Sequence, residues 1–76
     1  MARFYFHFAN GQTILDDVGI DLPDVDAVRK EALGTTRDLL FEPSSHLWAG
    51  EPCRVWVTDK PNAAGQTILS LELAAR

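Results

Sequence analysis

Seventy-six residues of which 46% are hydrophobic and 24% charged suit one globular domain, residues 1–76, and leave no room for a second. Seven Lys+Arg against eleven Asp+Glu give a net charge of −4, which argues against a general affinity for nucleic acid or an anionic membrane. One cysteine excludes an internal disulfide framework and any multi-thiolate metal site, and a chain this short buries only about 60% of its unfolded surface, a thin margin for a monomer.

The first residues carry no secretion address, since Phe4-Tyr5-Phe6-His7-Phe8-Ala9 is short and broken by a histidine. No stretch approaches the ~20 apolar residues of a membrane span, and the expected compartment is the cytoplasm. Residues 3–9 alternate with period two, Phe4, Phe6 and Phe8 on one face and Arg3, Tyr5 and His7 on the other, which predicts a half-buried strand. Asn10-Gly11 predicts a type I′ hairpin turn into a return strand over about Gln12–Asp16. Asp17 to Pro23 reads as an irregular connection that bends at Gly19.

Asp24 is the strongest helix start in the chain. Its carboxylate can take the unpaired first-turn amides, and Asp26 adds negative charge at the positive end of the helix dipole. Val25, Val28, Ala32, Thr36, Leu39 and Leu40 then recur at helical spacing and leave Arg29, Lys30, Arg37 and Asp38 outward. Gly34 weakens the helix unless close packing uses its missing side chain. Pro43 ends or kinks the helix near Phe41-Glu42, and Ser44 to Gly50 allows one further turn. Two more strands follow, Cys53, Val55 and Val57 alternating with Arg54, Trp56 and Thr58, then Leu69, Leu71 and Leu73 alternating with Ile68, Ser70 and Glu72. A loop from Asp59 through Gly65 joins them. The expected fold is α+β: a four-stranded antiparallel sheet in β-β-α-β-β order with one main helix on one face.

Several short pieces in this layout carry a resemblance. They are Arg3-Phe4-Tyr5-Phe6-His7, Gly11, Asp16 with Gly19, Leu22-Pro23-Asp24, Ala27, Glu31-Ala32, and Val57-Thr58-Asp59 with Gly65. Together they resemble the short bacterial proteins grouped as domain of unknown function 6894. The resemblance implies the same β-β-α-β-β fold and a bacterial, cytosolic origin, and it supplies no activity and no functional residues. Two features depart from it: Pro43 interrupts a stretch that is usually one helix, and Lys60 to Ala64 lengthen the last loop.

Candidate chemistry is sparse. His7 and His46 are the only histidines, and His7 reads as an ordinary surface-sheet histidine with no partner for acid–base work. Cys53 shares the alternation of Val55 and Val57 and reads as a small buried hydrophobe rather than a nucleophile. Asp16, Asp17, Asp21, Asp24 and Asp26 crowd together, but the glycine and terminal glutamate of a calcium loop are missing, so capping and a solvated loop account for them. No catalytic residue, cofactor or metal is expected.

The informative feature is the sheet face away from the helix. One helix cannot cover both faces, so Tyr5, His7, Trp56 and Ile68, framed by Arg3 and Arg54, are expected to form an exposed interaction face. Tyr, Trp and Arg are enriched in protein interfaces. The expected function is therefore a non-enzymatic binding or assembly module that forms a homodimer or binds a protein partner. The alternative is a nucleic-acid-binding or antitoxin-like regulator that stacks bases on the same aromatics, which the acidic balance disfavours.

Overall fold

In the computed structural model, which describes residues 2–41 and 50–74, the alternating N-terminal segment is an eight-residue strand, β1 (Ala2–Ala9). Chain order continues with β2 (Thr13–Ile14), β3 (Ile20–Leu22), α1 (Val25–Phe41), β4 (Cys53–Thr58), a 3-10 turn at Pro61–Ala63, and β5 (Thr67–Leu73). The expected extra turn after Ser44, with His46, lies outside the described residues. All pairing is antiparallel in the order β2-β1-β4-β5, with β3 also on β1. The class is α+β, and the sheet has five strands rather than four.

The fifth strand comes from the segment expected to be irregular. Ile14 pairs with Phe8 and Ile20 with Phe4, so five residues, Leu15–Gly19, stand opposite three, Tyr5–His7. The return strand is thus interrupted by an excursion two residues too long for the ladder, and β3 resumes the pairing beyond it. The first hairpin also differs from expectation: three residues, Asn10–Gln12, separate Ala9 from Thr13, and Gly11 alone among them has a positive φ, 97°. A type I′ turn needs two such residues.

Helix α1 starts where its capping residue dictates. Asp24 Oδ1 accepts the Ala27 N–H at 2.9 Å. Val28, Ala32 and Thr36 turn inward, Thr36 satisfying its hydroxyl by donating to the Ala32 carbonyl, whereas Val25 stays exposed. The helix lies against β4 and β3, so the fully buried centre is Cys53, Val55 and Val57 with Val28 and Ala32. Phe4, Phe6 and Phe8 share that face by register but are only half-buried. On β5 one extra residue, Ile68, forms a bulge between the Val57–Leu69 and Thr58–Thr67 pairs.

Two glycines separate sharply. A Cβ built on Gly34 meets nothing within 4 Å, whereas one on Gly19, where φ is +77°, falls 2.8 Å from both Arg3 Cγ and Tyr5 Cε2. Gly34→Ala is expected to raise stability by about 0.5–1 kcal/mol and Gly19→Ala to lower it by more than about 1 kcal/mol in urea titrations. Equal responses would contradict this placement of the two backbones.

Candidate functional site

By register, the sheet face away from α1 carries Tyr5 and His7 on β1, Arg54, Trp56 and Thr58 on β4, and Ser70 and Glu72 on β5. Of these, Tyr5, His7, Arg54 and Trp56 are expected interaction residues, and the structure brings them together on the side of β1 that Arg3 shares, while the expected Ile68 sits in the β5 bulge. It does not leave them open. His7 is 0% exposed and Trp56 9%, Tyr5 and Ile68 are half-buried, and Arg3, Arg54, Ser70 and Glu72 are exposed. The expectation of a surface histidine beside bare aromatics is therefore corrected: the chain covers this face with its own two loops.

The cover is built on one imidazole and one aspartate. Nδ1 of His7 accepts the Asp16 backbone N–H at 2.9 Å, and Nε2 lies 2.8 Å from Thr58 Oγ1. Thr58 donates its hydroxyl proton to the Lys60 carbonyl at 2.7 Å, so the remaining role of its oxygen toward His7 is acceptor. His7 is consequently the neutral tautomer with its proton on Nε2. Asp16 is used at every polar atom. Its Oδ2 accepts the Phe6 N–H, which falls between the β2 and β3 pairings, and its Oδ1 accepts the N–H groups of Val18 and Gly19. Its carbonyl accepts the Asn62 N–H at 2.9 Å, which joins the first excursion to the Pro61–Ala63 turn above His7.

The charge states follow from these partners. Burial holds the His7 pKa below its ordinary value of 6.5, with the Asp16 carboxylate pulling more weakly the other way. Burial would raise Asp16, but the amides of Val18, Phe6 and Gly19, with His7, outweigh it and hold the carboxyl below its ordinary 3.8. Trp56 packs against the His7 ring at 5.4 Å between centroids, and the Arg54 guanidinium lies 4.5 Å from the Trp56 ring centroid while Arg54 Nε donates to Ser70. A base-stacking platform needs open ring faces, and these two are taken.

Three more acids of the 16–26 segment have partners, and Asp17 stays exposed. Asp21 pairs with Arg3, whose guanidinium also donates to the Val18 carbonyl; Asp24 caps α1; Asp26 pairs with Arg29. No group of three or more His, Cys, Asp or Glu side chains converges among the described residues. Cys53 is buried on the helix side, with the two valines it alternates with.

What the fold leaves open is its flank. β5 ends the sheet, so its outer edge has no partner strand among the described residues. Between β5 and α1 lies a hollow of about 230 Å³ lined by Arg29, Leu33, Leu69 and Leu71, and a second, sharing Leu33, adds Lys30, Gly34 and Arg37. Leu33 is 60% exposed. It stands four residues from both Arg29 and Arg37, off the buried stripe, which is the one signal in the sequence that marks it: a leucine at an outward helical position among basic residues.

A family model described as Domain of unknown function (DUF6894) matches residues 3–74. The chain belongs to this family. No curated protein and no solved structure matches it. The DUF6894 match spans α1 and all of the sheet but Ala2, and with them His7, Asp16, Gly19 and Thr58 of the covered face. The loop from Asp59 through Gly65 of this DUF6894 chain takes part in that cover, since Asn62 lies within it. No described helix is long and apolar enough to cross a membrane.

Acid should test the histidine directly. Folded, His7 is held neutral; unfolded, it takes a proton near its ordinary 6.5, so the unfolded state binds more protons below that pH and stability falls. Asp16 contributes fully above its ordinary 3.8 and loses its share only as pH drops through the lowered folded value. Melting temperature of this DUF6894 protein is therefore expected to decline between about pH 7.5 and 5, before the carboxylate window opens. His7→Gln should be less stable at neutral pH and flatter over that range; an unchanged slope in the variant would place the titrating group elsewhere.

Proposed function

We propose that this DUF6894 chain is a non-enzymatic binding and assembly module that associates with itself through the flank formed by α1 and β5. The observation that carries the reading is Leu33, 60% exposed on a helix, continuous with the half-buried Leu69 and Leu71 of β5, whose outer edge has no partner strand among the described residues. Apolar surface of this kind gains about 25 cal/mol per Å² when covered, and a chain of 76 residues has little core of its own to spare. Strand edges exposed without lysine or proline are templates for association, and Thr67–Leu73 contains neither.

The covered far face supports moving the contact surface away from Tyr5 and Trp56. Two-fold pairing of aromatic faces loses its driving force once His7 and Trp56 are buried within the chain. Arg54 then serves as a cover for Trp56, and Arg3 as a brace for the Leu15–Gly19 excursion. The opposite edge of the sheet is a poorer template for strand addition, because β2 and β3 are two and three residues long and interrupted by Asp16 and Asp17.

Light scattering across a concentration series is expected to give more than one chain per particle at tens of micromolar or above, and Leu33→Glu to return a folded monomer. A wild-type protein that stays a monomer at about 1 mM, or a Leu33→Glu variant with unchanged mass, would remove the flank as the contact surface.

A further inference from the structure

We infer that the self-association is head-to-tail: the α1/β5 groove of one copy receives the edge over Ile14–Asp21 of the next. The inference rests on the proposed assembly role and names its partner surface. Three basic residues line the groove around Leu33, Lys30 and Arg37 with Arg29, which is paired to Asp26, and no acid does among the described residues, in a chain where acids outnumber bases eleven to seven. Lys30 and Arg37 have no ion-pair partner among the described residues.

A second copy placed groove to groove would set these like charges against each other, which opposes association. The same chain carries the complement at its other end. Along the β2–β3 edge, Ile14, Leu15, Val18 and Ile20 are exposed, Val18 at 68%, and the exposed Asp17 lies among them. That surface is apolar with acidic charge, and the groove is apolar with basic charge. The excursion is also a firm element to present, because Asp16 and Arg3 fix its backbone from within at the Val18 and Gly19 amides and the Val18 carbonyl. Val18 is thus held rigidly outward, as a knob for the Leu33–Leu71 hollow, with Asp17 brought to Lys30 and Arg37.

Joining two different surfaces has a consequence that a two-fold contact lacks. An open assembly of any length keeps one free groove and one free edge at its ends, so it extends as a chain or closes into a ring, and salt weakens it.

The test uses two full-length variants, Leu33→Glu in the groove and Val18→Lys on the edge, with circular dichroism and melting temperature confirming that both fold. Each alone is expected to weaken association about tenfold or more, since each substitution sets like charge against the other surface. An equimolar mixture is expected to regain complexes containing both variants, the intact edge of one filling the intact groove of the other. If Val18→Lys keeps the wild-type mass while Leu33→Glu loses it, the groove associates but not head-to-tail, and this inference falls while the assembly reading stands. If both variants lose association and the mixture regains none, the head-to-tail pairing is likewise overturned. If neither variant changes the mass, both readings fail.

Discussion

The neutral His7 imidazole, held between the Asp16 amide and the Thr58 hydroxyl, governs how the rest of the chain is arranged. A histidine fully inside a protein needs both ring nitrogens satisfied, since an unmet buried donor or acceptor costs about 1–3 kcal/mol. Here one nitrogen is met from a loop nine residues away in sequence and the other from a strand 51 residues away. The pair therefore joins the first hairpin to the last one. Asp16 extends the joint in both directions, filling the gap in the β1 ladder at Phe6 and meeting the Asn62 amide across the sheet.

That joint decides which surface faces outward. The Leu15–Gly19 excursion and the Pro61–Ala63 turn are drawn over His7, so the chain's own loops cover that part of the sheet face without a helix. Trp56 is enclosed between His7 and Arg54. Among the described residues, apolar surface stays uncovered on the flank at Leu33, on the outer side of the excursion, and at Val25 and Phe41 at the two ends of α1. The flank and the excursion differ in charge because the acids are gathered in residues 16–26 and three of the bases on one side of α1.

Much of this fold is legible in the residue pattern. The period-two runs give β1, β4 and β5, Asp24 gives the start of α1, and Cys53 lands in the core as its alternation implies. The membership of the DUF6894 family is legible too, from short pieces spread between Arg3 and Gly65. What periodicity does not encode is the job of a polar side chain that bonds backbone. β3 is hidden because an excursion of five residues separates it from β2, and its pairing depends on Asp16 holding that excursion in place. His7 reads as exposed because the alternation assigns it a face and says nothing of what covers that face. A local signal does exist: Asp16 three residues before Gly19 is the spacing of a side-chain turn, in which one carboxylate oxygen takes two following amides. Read together with Thr58, a polar residue on the same sheet face, it points to a closed loop over the histidine.

The most direct measurement is the nitrogen-15 spectrum of the His7 ring with hydrogen exchange at the Asp16 amide, at neutral pH. The account predicts a neutral imidazole protonated at Nε2, with Nδ1 at the shift of a hydrogen-bond acceptor, and an Asp16 amide that exchanges slowly for a loop residue. A ring averaging between tautomers, or protonated at pH 6, beside an Asp16 amide that exchanges at once, would contradict it.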